Sequence, residues 1–141
     1  MVKLIVGERG SGKTKQLIDA ASAAAKLSKG NVVCIEKGDS LRFDLNYQIR
    51  LIDINEYNVK GADAYYGFIS GLLAGNYDIT EIFGDATLRI LCGKETKDFE
   101  AMADFIERVE KLAGKSDAEV IFTLSCSMAD LPERIRKFVV E

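Results

Sequence analysis

The apolar positions of this chain fall into short β-branched runs separated by longer helical stripes. "KLIV" (Lys3–Val6), "NVVCIE" (Asn31–Glu36), "DITEIF" (Asp78–Phe83) and "EVIFTLS" (Glu119–Ser125) read as strands, the second of a buried type. "QIRLIDI" (Gln48–Ile54) alternates in character and reads as a short, partly exposed strand. Helices are expected over Lys13 to about Ser28, Ala62–Ala74, Lys97–Ala113 and Ala129–Phe138. In the third of these, Phe99, Met102, Ile106 and Val109 make one apolar stripe. Gly30 is placed to cap the first helix, Pro132 is tolerated in the first turn of the last, and Lys37–Tyr47 reads as a polar loop.

Strands alternating with helices predict right-handed crossovers. The result is a three-layer α/β/α fold with a mainly parallel sheet of about five strands. Ligands of such sheets bind at the carboxyl ends of the strands. Gly7 stands at that end of the first strand, and the residues after it carry the strongest chemical signal in the chain.

"GERGSGKT" matches Gly-x-x-x-x-Gly-Lys-[Ser/Thr] at Gly7, Gly12, Lys13 and Thr14. A polyphosphate needs backbone N–H groups curled around it, and glycine both permits the curl and removes the side chain that would block approach. The helix that follows adds its partial positive charge. Gly7, Glu8, Arg9, Gly10, Ser11, Gly12, Lys13, Thr14 and Lys15 are therefore the expected nucleotide-binding residues. Lys13 should reach the β- and γ-phosphates, and the Thr14 hydroxyl should ligate Mg²⁺. A second "GKS", Gly114–Ser116, has Val109 where the first glycine should stand and reads as a helix terminus.

A second Mg²⁺ ligand is expected at the end of a neighbouring strand. Asp85 in "ITEIFGDA" is the candidate; Asp78 opens that strand at the wrong end, and Glu81 lies in its middle. Lys13 and Asp85 are the expected catalytic residues, with Thr14 and Asp85 on the metal. Ser125 or Ser127 in "TLSCS" would sit near the γ-phosphate if the last strand lies beside the first. Arg9, Arg42, Arg50, Arg89 and Arg134 are the arginines weighed for a transition-state role, and the sequence does not choose among them. Arg134, Arg136 and Lys137 read as a solvated helix face. No Asn-Lys-x-Asp guanine-reading tetrapeptide occurs, which favours ATP over GTP.

Composition narrows the setting. The chain has 141 residues, expected to form a single nucleotide-binding domain over 1–141. Its net charge of −3 makes nucleic acid an unexpected partner. The most apolar segment, Ala62–Gly75, is shorter than the roughly 20 residues that a membrane helix takes. No signal-peptide pattern opens the chain, and Cys34, Cys92 and Cys126 form no Cys-x-x-Cys pair, so reduced thiols in a cytoplasmic protein are expected. Histidine is absent, which removes the commonest general base. Gly67, Gly71 and Gly75 form a ridge on the second helix, expected to press against the sheet or, alternatively, to serve self-association.

The stretches "KLIVGERGSGKTKQLI", "KGNVVCIEK" and "YDITEIFGDA" resemble a group of short Firmicutes P-loop ATP-binding proteins, some labelled twitching-motility ATPases, over the whole chain. The order of elements also resembles a minimal RecA-like or thymidine-kinase-like core. That resemblance implies the additional-strand sheet order: first strand, last strand, Asp85 strand, second strand. Active ATPases of that class commonly place a glutamate directly after the aspartate, and here that position is Ala86. The expected function is Mg-ATP binding with slow or partner-stimulated hydrolysis, or a nucleotide-controlled switch, with a protein partner or a homo-oligomer. The alternatives are a small-molecule phosphotransferase, using the Lys37–Arg50 loop for its acceptor, and a non-enzymatic module whose partner surface is set by nucleotide.

Overall fold

A computed structural model describes residues 1–42 and 44–140. Chain order is β1 (Val2–Gly7), α1 (Lys13–Leu27), β2 (Asn31–Glu36), β3 (Ile49–Asp53), α2 (Ala62–Gly75), β4 (Ile79–Gly84), α3 (Thr87–Cys92), α4 (Phe99–Ser116), β5 (Glu119–Ser125) and α5 (Glu133–Arg136). Single 3-10 turns occupy Ile54–Tyr57 and Met128–Asp130. The five strands form one sheet in the order β1-β5-β4-β2-β3, with every pairing parallel. β5 thus separates β1 from β4, as the additional-strand order requires.

Strand alternation divides the apolar side chains between two faces. Val33, Ile35, Ile82, Val120 and Phe122 meet Tyr65 and Ile69 of α2 and Met102, Phe105, Ile106 and Val109 of α4 in the larger core. The expected α4 stripe is therefore the buried one. Val32, Cys34, Phe83 and Ile121 meet Leu17 and Ala21 of α1 in the smaller core. Continuing the alternation by two residues puts Glu36, Asp85 and Thr123 on the α1 face, at the carboxyl end of the sheet. The free side of β1 is covered by the last residues: Leu4 N donates to the Phe138 carbonyl and Val140 N to the Leu4 carbonyl, each at 2.9 Å.

Several expectations need correction. Gly30 does not cap α1. The helix ends at Leu27 with an extended Ser28, and Gly30 is instead where two backbones meet: a Cβ there would lie 2.1 Å from the Asp78 carbonyl oxygen. The last helix is not continuous over Ala129–Phe138. Pro132 holds an extended conformation ahead of a helix of only four residues, because it supplies no N–H and disfavours helical geometry in the residue before it. Arg134 is not a solvated cation; it bridges to Glu100 at 3.0 Å, Asp104 at 2.8 Å and Glu107, all on α4. The glycines of α2 do not press on the sheet. Gly67, Gly71 and Gly75 are exposed, and a Cβ on any of them would meet nothing within 4 Å. No helix among the described residues is long and apolar enough to cross a membrane.

Candidate nucleotide site

The turn between β1 and α1 is shaped by close approach and by left-handed backbone. A Cβ on Gly7 would lie 2.3 Å from Ser11 Oγ, so the loop folds back over the strand end and a larger residue there would have to displace the Ser11 side chain. Gly10 and Gly12 have φ of 84° and 90°, where other residues are strained. Gly12 stands at the N-cap of α1 and has no side chain to cap the helix, so its leading N–H groups lack the usual N-cap acceptor. Lys13 is only 8% exposed although charged. Its Nζ donates to the Glu8 carbonyl at 2.9 Å, across the loop's base. Lys15 instead points along the outside of α1 and pairs with Asp19 at 3.0 Å.

Asp85 lies beyond the last residue of β4, and the sheet brings it to the start of α1. Thr14 Oγ1 donates to Asp85 Oδ2 at 3.2 Å, and Thr123 Oγ1 donates to Asp85 Oδ1 at 2.6 Å. Thr123 in turn accepts from Ala86 N at 3.3 Å. Asp85 N donates to the Ile35 carbonyl at 2.9 Å, so the backbone is fixed from the β2 side as well. Ala86 then adopts φ 54° and ψ 35° and opens α3, a helix the sequence did not announce.

These residues share one cavity of about 650 Å³. Glu8, Arg9, Gly10, Lys13, Thr14, Asp85 and Ser125 line it; Gly7, Ser11, Gly12 and Lys15 do not. Its far wall comes from α3 and the segment after it, including Arg89, Glu95 and Lys97. Ser125 pairs in register with Gly7, and its carbonyl accepts from Lys97 Nζ at 2.7 Å. Ser127 is a helix-capping residue, joined to Asp130 in a reciprocal capping box. Glu81 lies low on the sheet in register with Val32 and Glu119, away from the loop.

Three polar residues of this region were not singled out from the sequence: Thr123, Lys97 and Glu36. Glu36 ends β2, the strand beside β4, and is 3% exposed. Its carboxylate accepts from Ser40 Oγ at 3.3 Å and Leu41 N at 3.0 Å. Burial, with a smaller contribution from Asp85, holds its pKa above the ordinary glutamate value against those hydrogen bonds.

Thr14 and Asp85 present a hydroxyl and a carboxylate oxygen side by side, the hard-oxygen pair that suits Mg²⁺. The left-handed turns at Gly10 and Gly12, leading into the uncapped start of α1, suit a phosphate held by main-chain N–H groups. The sheet order, with β5 between β1 and β4, is that of a RecA-like α/β fold. Of solved structures, the flagellar accessory protein FlaH from Methanocaldococcus jannaschii has the same fold: TM-score 0.56 at 14% identity, covering 96% of this chain and 65% of FlaH. The pCW3 conjugation coupling protein TcpA, solved as a monomer with ATPγS, gives TM-score 0.47 at 16% identity, covering 97% of this chain and 46% of TcpA. The chain thus spans less than two thirds of the length of either. No protein-family model and no curated protein matches the sequence.

Proposed function

We propose that this chain, as one nucleotide-binding domain, binds Mg-ATP at Gly7–Thr14 and turns it over slowly or only when a partner protein or a second copy completes the site. The observation that carries this reading is the meeting of Thr14 and Asp85, 71 positions apart in sequence, beside a loop whose Gly10 and Gly12 take left-handed backbone that strains other residues. Main-chain N–H groups and Lys13 would hold the triphosphate. Thr14 and Asp85 would hold the metal, directly or through water. Among the described residues no group of three or more metal-binding side chains is assembled, so phosphate oxygens and water would complete the shell. The bound ion would neutralise charge on the β- and γ-oxygens. Slow turnover is supported by Ala86 after the aspartate and by Glu36, which is sealed under Ser40 and Leu41 rather than exposed to the cavity.

The test is titration of ATP, ADP and GTP with Mg²⁺ into wild type and Lys13→Ala, with turnover measured beside it. Loss of a charge-assisted phosphate contact should weaken ATP binding by about 10-fold or more. Equal ATP affinity in the two proteins would reject the assignment.

A further inference from the structure

The sequence offers several cations for a terminal phosphate, and the structure fixes one at the right strand end. Lys97 precedes Asp98, whose carboxylate caps α4 by accepting from Ala101 N at 3.0 Å. Its side chain reaches from there to the carboxyl end of β5, where Nζ donates to the Ser125 carbonyl at 2.7 Å. Ser125 is the register partner of Gly7, so this ammonium is tied beside the first glycine of the phosphate loop. Lys13 and Lys97 line the same cavity, and neither is paired with a carboxylate among the described residues.

The two ammonium groups also act on one neighbour. Burial, then Asp130 and to a lesser degree Glu8, pushes the Cys126 thiol up to about 11, while Lys97 and, less strongly, Lys13 pull it down. Glu8, Asp85 and Glu95 line the cavity as well, so a phosphate entering it depends on these two ammonium groups, neither of them paired with a carboxylate among the described residues, for its attraction. Lys13, rooted at the helix start, serves the β- and γ-phosphates from the loop side. Lys97 comes from the segment ahead of α4 and meets the loop at the carboxyl end of β5, where it would serve the terminal phosphate.

We propose that Lys97 is the γ-phosphate cation of this site, supplied by the chain itself, and that it makes the site prefer a nucleoside triphosphate over a diphosphate. This rests on the nucleotide reading given above. Arg89 lines the same cavity and is exposed, but no contact fixes its guanidinium among the described residues.

The experiment titrates ATPγS and ADP, each with Mg²⁺, into wild type, Lys97→Ala, Lys97→Arg and Arg89→Ala, with melting temperatures as the check on folding. Lys97→Ala should weaken ATPγS binding by about 10-fold or more and shift ADP by no more than about 2-fold. Lys97→Arg should recover most of the loss. The proposal is overturned if Lys97→Ala changes both ligands equally or neither, if Arg89→Ala alone removes the preference, or if wild type shows no preference. A wild type that binds neither ligand would overturn the nucleotide reading itself, and this proposal with it.

Discussion

The hydroxyl of Thr14 donates to one oxygen of Asp85 at 3.2 Å, while Thr123 donates to the other at 2.6 Å. One carboxylate is therefore oriented from two elements, with one oxygen shared with the helix that follows the phosphate loop. If this pair holds the metal, Thr14→Ala and Asp85→Asn should each make ATP affinity nearly independent of Mg²⁺. Titration with and without EDTA reads this directly, and a variant that keeps the wild-type metal dependence would lose its place in the site. Thr123→Val should weaken the metal dependence less, since it disturbs the orientation of the carboxylate and leaves the ligand itself in place.

How far this arrangement was legible depends on what each residue needs. The loop could be read outright, because closely spaced glycines and a following helix build it from local geometry alone. Asp85 could be read as a strand-end acid. Thr123 could not: "EVIFTLS" shows the strand, but only the register that sets Phe122 against Gly84 puts Thr123 beside Asp85. "TLSCS" points equally to Ser125 and Ser127, and the second of these caps a turn. Glu36 is plain in "NVVCIE", yet it matters only because β2 lies next to β4. "TLRILC" is too short to show a helical period. The glycine spacing of α2 told which residues share a face, but not that the face looks outward.

Tyr65 carries a prediction about stability. Its ring stacks on Phe105 with centroids 5.3 Å apart and meets Phe122 edge-on at 6.0 Å, while its buried hydroxyl has no hydrogen-bond partner among the described residues. The hydroxyl rests against Gly84, where a Cβ would lie 2.7 Å away. Tyr65→Phe keeps the ring packing and removes an unsatisfied polar group, so unfolding free energy should rise by about 1 kcal/mol. A higher urea midpoint at unchanged slope is the expected result; a lower midpoint would mean that the hydroxyl has a partner in solution.

Ala86 tests the backbone just beyond Asp85. Its φ of 54° costs a residue with a Cβ about 1–2 kcal/mol, and this turn sets both the start of α3 and the amide that Thr123 accepts. Ala86→Gly should be stabilising by up to about 1 kcal/mol, reduced by the extra freedom of glycine in the unfolded chain. Ala86→Val should be destabilising by at least about 1 kcal/mol, since a branched side chain tolerates this region worst. Chemical denaturation of both variants checks the sign, and a stable Val variant would mean that the turn relaxes away from the left-handed region.

Glu36 makes stability depend on pH with a definite sign. Its folded pKa is raised, first by burial and least by Asp85, so the native state holds this proton more tightly than the unfolded chain does. Between the ordinary value of 4.5 and the raised folded value, the native state binds more protons, and this residue's contribution to stability falls as pH rises. Above the folded value the penalty is complete and constant. Glu36→Gln removes the charge and keeps one oxygen to accept from Leu41 N, while its amide NH2 takes the other position and can donate to a reoriented Ser40 hydroxyl. The variant should therefore exceed wild type in stability at neutral pH, and its advantage should shrink as pH falls through the folded pKa toward 4.5. Urea midpoints of both proteins across that range isolate the effect from all other titrating groups. A difference that stays flat, or grows on acidification, would show that the carboxylate is not penalised by its burial.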